Sequence, residues 1–122
     1  EEVKIAFNKI HGTTNALGCT NSGVLIQEFL EGTEYMVDTI SCDGKHKICS
    51  VSEYDKRTAN GQFNVYYGII LRDASDEKFA AMIEYVFQVL DALEFENGPG
   101  HAEIKLTPTG PVSLKLGQDV LE

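Results

Sequence analysis

Apolar residues first recur at helical spacing, at Val3, Ala6, Phe7 and Ile10, with no N-cap residue ahead of them. The pattern predicts a helix at the start of the chain and a domain entered part-way, truncated on its N-terminal side. Residues 12–23 are rich in Gly, Thr, Asn and Ser and predict an irregular connection. Residues 24–30 form a mainly apolar run that carries Gln27 and Glu28, which predicts a strand. After Glu31-Gly32, residues 35–42 are β-branched and aromatic, and Asp43-Gly44 separates them from residues 46–54. A two-residue Asp-Gly link signals a hairpin and leaves no room for a parallel crossover. Asn60-Gly61 breaks the pattern before residues 63–71, FNVYYGIIL, a further strand with Gly68 as a site for a bulge.

Ser75 is placed to cap a helix with Asp76 and Glu77 in its first turn, and Phe79, Met82, Ile83, Val86, Leu90 and Leu93 repeat at helical spacing. Asn97-Gly98-Pro99-Gly100 ends that helix. Residues 101–107 and 111–116 then predict strands joined by a turn at Pro108-Thr109-Gly110. Helix, four strands, helix and two strands, with hairpin links, predict an α+β fold: an antiparallel sheet with both helices packed on one face, in a single domain over residues 1–122.

Composition narrows the function classes. The 122 residues suffice for one core. Nineteen Asp and Glu against ten Lys and Arg give a net charge of -9, which repels a phosphate backbone and an anionic membrane surface, so neither nucleic acid nor membrane is an expected partner. The apolar residues are dispersed, and no stretch approaches the roughly 18 to 20 needed to span a bilayer. The first residues lack the order of a signal peptide, and Cys19, Cys42 and Cys49 cannot all pair within one chain and show no CxxC spacing. Reduced thiols in a cytoplasmic protein are the expectation.

Candidate chemistry lies where polar residues interrupt a strand pattern. Gln27 and Glu28 alternate within an apolar run, so one of them is expected to point inward, toward either a ligand or a structural hydrogen bond. His101, Glu103 and Lys105 share one face of their strand, either as a cation or phosphate site or as a solvated sheet face.

The ordered set of QEFLEGTEY, EYDK and NGPGHAE, within GVLIQEFLEGTEYMVDTISCDGKHKICSVSEYDKR and NGPGHAEIKLTPTGPVSLKLG, resembles the C-terminal half of an ATP-grasp domain of the amino-acid and carboxylate-amine ligase branch. The resemblance runs from the first helix to Gly117. It implies a hinge strand at residues 25–30 beside which adenine sits, with backbone groups of Glu28 and Leu30 at the base edge and the Gln27 side chain nearby. It implies that Glu34 holds the ribose hydroxyls, that Glu103 is the first acidic ligand of Mg2+, and that Lys56 lies near the phosphate path. ATP and Mg2+ are thus the implied cofactors, in a parent ligase that works through an acyl-phosphate intermediate.

Departures from the family pattern fall at the end of the chain. Where relatives carry GPVxxE and then an Arg, this sequence has GPVSLKLGQD, with Lys115 in place of the second acidic metal ligand and Asp119 in place of the arginine. An ammonium group cannot coordinate Mg2+. The N-terminal ATP-grasp lobe is not in this sequence, so the chain is expected to be inactive alone and to pair with that lobe or self-associate through an exposed sheet face. A non-catalytic ATP-grasp-like module with a degenerate metal site, and a structural domain without ligand, are the alternatives.

Overall fold

The computed structural model describes residues 1–117. In chain order the elements are α1 (Glu2–Ile10), β1 (Thr33–Cys42), β2 (Lys45–Ala59), β3 (Gln62–Arg72), a 3-10 turn (Glu77–Phe79), α2 (Ala80–Ala92), β4 (Gly98–Thr107) and β5 (Gly110–Gly117). The strands form one five-stranded sheet in the order β3-β2-β1-β4-β5, antiparallel at every junction. β1 is central, so its residues are flanked by side chains from both β2 and β4.

Turn chemistry sets the hairpins. Asp43 and Gly44 have φ of 49° and 70°, and Asn60 and Gly61 have 53° and 75°. Positive φ at both central residues is the turn whose twist matches paired strands, and Asn, Asp and Gly tolerate it best. The β2–β3 ladder shifts register where Asp55 faces Gly68 and Lys56 faces Tyr66, which leaves Tyr67 as the extra residue beside Gly68. The bulge thus falls beside the expected glycine.

One sheet face is packed by α2. Tyr35 and Val37 of β1, Val51 of β2 and Ala102 and Ile104 of β4 bury against Phe79, Met82, Val86 and Leu90. Each such large side chain contributes about 1.5 to 3 kcal/mol through removal from water. The cap ahead of α2 is Asp76 rather than Ser75: its carboxylate accepts the backbone N–H of Lys78, while Ser75 donates its own N–H and hydroxyl to Asp73.

Two expectations give way to the structure. Residues 24–30 form no strand; an apolar run becomes a strand only where a neighbouring backbone completes its hydrogen bonds, and β5 has β4 as its single sheet neighbour. Helix α1 forms as its spacing requires, yet none of its residues is buried and Val3 is 59% exposed, so of the two described α-helices only α2 packs on the sheet. Amphipathic spacing specifies a face to bury, not what buries it. The connection at residues 12–20 is irregular apart from one bridge between Thr14 and Thr20.

Candidate functional site

The sheet face opposite α2 carries a row of charged groups set by strand register. Glu34 of β1 faces Lys105 of β4 across the ladder, and Asp38 faces His101. Glu103 of β4 faces Lys115 of β5. Residues scattered along the sequence are thereby brought onto one surface.

Glu34 is the best-held of them. Its side chain is only 10% exposed, Lys56 Nζ lies 2.5 Å from Oε1, and Lys105 Nζ lies 3.5 Å from Oε2. The Lys56 ammonium also sits over the Tyr54 ring, 4.7 Å from its centroid. Burial, and then the negative charges of Glu103 and Glu34, push the Tyr54 hydroxyl above its ordinary pKa, which keeps it a donor at neutral pH. Glu34, Lys56 and Lys105, with Tyr54 and Asn64, line a polar pocket.

A second groove adjoins the first. Gln27, Glu28, Phe29 and Leu30 lie across from Val112, Ser113 and Leu114 of β5, and Lys105 lines both cavities. Without strand alternation Gln27 and Glu28 do not fall on opposite faces; both are exposed and both line the groove. Residues 27–30, the expected hinge, therefore line a cleft whose other wall is apolar and hydroxyl-bearing.

Further along β4, His101 Nδ1 lies 2.7 Å from Asp38 Oδ1, and the Ser50 hydroxyl donates to Asp38 Oδ2 at 2.5 Å. Glu103 has His101 Nε2 and Lys115 Nζ each 3.9 Å from Oε1. The expected site residues thus form two groups. Gln27, Glu28, Leu30, Glu34 and Lys56 line the two adjoining cavities, joined by Lys105; Glu103 lines neither and belongs to the His101–Lys115 row, within electrostatic reach of Tyr54. Asp119 lies outside the described residues.

Residues 1–115 match the model of the ATP-grasp domain family. The chain belongs to the ATP-grasp family. It is 36% identical over 115 residues to dapdiamide A synthase of Enterobacter agglomerans, covering 94% of this chain and 27% of that protein. It is 28% identical over 119 residues to an L-arginine-specific L-amino acid ligase of Bacillus subtilis, covering 91% of this chain and 29% of that one. Two solved structures share the fold. An L-amino acid ligase from Bacillus licheniformis superposes with a TM-score of 0.62 at 24% identity, over 75% of this chain and 23% of that chain. An ATP-grasp superfamily protein from Archaeoglobus fulgidus gives 0.59 at 23% identity, over 77% and 29%. This ATP-grasp chain spans between 27% and 29% of the length of the curated relatives it matches.

ATP-grasp ligases use ATP and magnesium. The groove at residues 27–30 and the Glu34 pocket offer apolar walls beside hydrogen-bonding groups, the chemistry an adenosine requires. The surroundings of Glu103 do not fit magnesium, which needs near-octahedral oxygen ligands. Glu103 has an ammonium group and an imidazole as its neighbours, and the described residues contain no group of three His, Cys, Asp or Glu able to hold a metal. No helix among the described residues is long and apolar enough to cross a membrane.

Proposed function

We propose that this chain is the nucleotide-holding portion of a cytoplasmic ATP-grasp amino-acid ligase, one that joins a carboxylate to an amine through an acyl-phosphate intermediate, and that it is inactive by itself. Residues 1–122 are then the C-terminal part of an ATP-grasp domain. The observation that carries the proposal is the continuity of the hinge groove with the buried Glu34 carboxylate across the shared wall of Lys105. Backbone groups of Glu28 and Leu30 meet the adenine edge and the Gln27 side chain lies beside it. Glu34 accepts the ribose hydroxyls, an arrangement to which an ionised carboxylate brings charge-assisted hydrogen bonds. Lys56 adds positive charge on the phosphate side of Glu34. The N-terminal lobe of the domain is the expected partner over the open sheet face.

Lys115 favours a second reading, an ATP-grasp-like binding module with a degenerate metal site. Under either reading adenine and ribose contacts survive without phosphate closure, so ATP is expected to bind weakly, with Kd on the order of millimolar. Calorimetric titration of ATP with and without magnesium tests this. Weak binding that magnesium barely improves, without hydrolysis, supports the proposal; tight magnesium-dependent binding removes the assignment of Lys115 to the metal position, and no binding at all removes the nucleotide site.

A further inference from the structure

We infer that Lys105 is a positioning residue for nucleotide, acting through Glu34. The inference rests on the assignment of Glu34 to the ribose and extends it to Lys105, which the sequence grouped with His101 and Glu103 rather than with Glu34. Glu34 is clasped from both neighbouring strands. Lys56 of β2 reaches one carboxylate oxygen across the Tyr54 ring, and Lys105 of β4, its cross-strand partner, reaches the other. A carboxylate has about four lone-pair sites on its two oxygens; Lys56 takes one by hydrogen bond and Lys105 stands at ion-pair distance, which leaves sites on both oxygens for hydroxyls. Attraction of the second oxygen to Lys105 biases the plane of the group, which the Lys56 hydrogen bond alone would leave freer to rotate.

Lys105 suits this role better than a solvated strand lysine would. Its side chain is 13% exposed, against 65% for Lys115 on the adjacent strand. It lines both the hinge groove and the Glu34 pocket, the place that the base-to-sugar link of an adenosine takes under the proposed reading. Lys105 therefore ties the position of the ribose acceptor to the wall of the base groove.

The test is NMR titration of ATP and of dideoxy-ATP, which lacks both ribose hydroxyls, against the wild-type chain, Glu34→Gln, Lys105→Met and Lys105→Arg, each variant first shown to keep the dispersed spectrum of the folded chain. Wild type is expected to prefer ATP, and Glu34→Gln to abolish the preference. Lys105→Met is expected to weaken ATP about fivefold, the net scale of one ordinary hydrogen bond, with dideoxy-ATP unchanged and Lys105→Arg largely restoring the preference. If Glu34→Gln weakens both nucleotides alike, the ribose assignment fails and the role of Lys105 falls with it. If Glu34→Gln behaves as expected but Lys105→Met weakens both alike, or neither, positioning by Lys105 is overturned while the ribose assignment stands.

Discussion

Lys115 shows how one side chain decides the chemistry of a sheet face. Its ammonium lies 3.9 Å from Glu103, where a cation-binding site needs another oxygen. Lys115→Glu is expected to change the effect of magnesium on ATP affinity from negligible to a gain of about tenfold, read by calorimetry, since a second hard carboxylate then faces the first. Gly32 acts on the other side of the site. At φ 142° it precedes β1, and a Cβ there would overlap the Leu106 carbonyl oxygen of β4. Gly32→Ala is expected to cost about 2 kcal/mol or more in urea denaturation and to displace Glu34, two residues on, with a matching loss of ATP binding. The candidate site residues come from the sequence singly: Glu103 by strand alternation and by resemblance, Glu34 by resemblance alone. Their pairing does not, because Lys105 meets Glu34 only through a β1–β4 register that no local signal specifies.

Among the elements, hairpins and α2 were legible because their causes are local. Asp43-Gly44 and Asn60-Gly61 carry their own backbone geometry, and Met82, Val86 and Leu90 define a stripe that must be buried. Leu90→Ala is expected to destabilise the domain by about 2 to 5 kcal/mol, with the denaturation midpoint falling and the slope unchanged. The start of α2 depends on pH. The Lys78 backbone N–H bonded to Asp76, and the Ser75 hydroxyl bonded to Asp73, hold both carboxylates below their ordinary range. A folded-state pKa below the unfolded one contributes stability above the unfolded value, and that contribution is lost as pH falls through the folded value. Thermal melts followed by circular dichroism are expected to show Tm falling below about pH 4, and less steeply in a double Asp73→Asn, Asp76→Asn variant. A fall of the same slope in that variant would place the acid sensitivity elsewhere.

At the scale of the whole molecule, the unpacked surface is the main feature. α2 covers one face, while Phe29, Leu25 and Ile26 of the hinge segment are 77%, 80% and 64% exposed and Leu71 of β3 is 73% exposed. Apolar groups left in water favour association. Sedimentation is expected to show concentration-dependent self-association of the isolated chain, and a monomer at high concentration would remove that argument. The sequence by itself determined what local chemistry can encode: the turns, the α2 stripe, the antiparallel class and, by resemblance, the ATP-grasp family. Tertiary structure alone decided three further things. Residues 24–30 remain without a strand, because a strand requires a partner's hydrogen bonds, and α1 lies unburied, because an apolar face requires a surface to meet. Glu34 sits between two lysines, because register across β2, β1 and β4 is a property of the assembled sheet and of no segment within it.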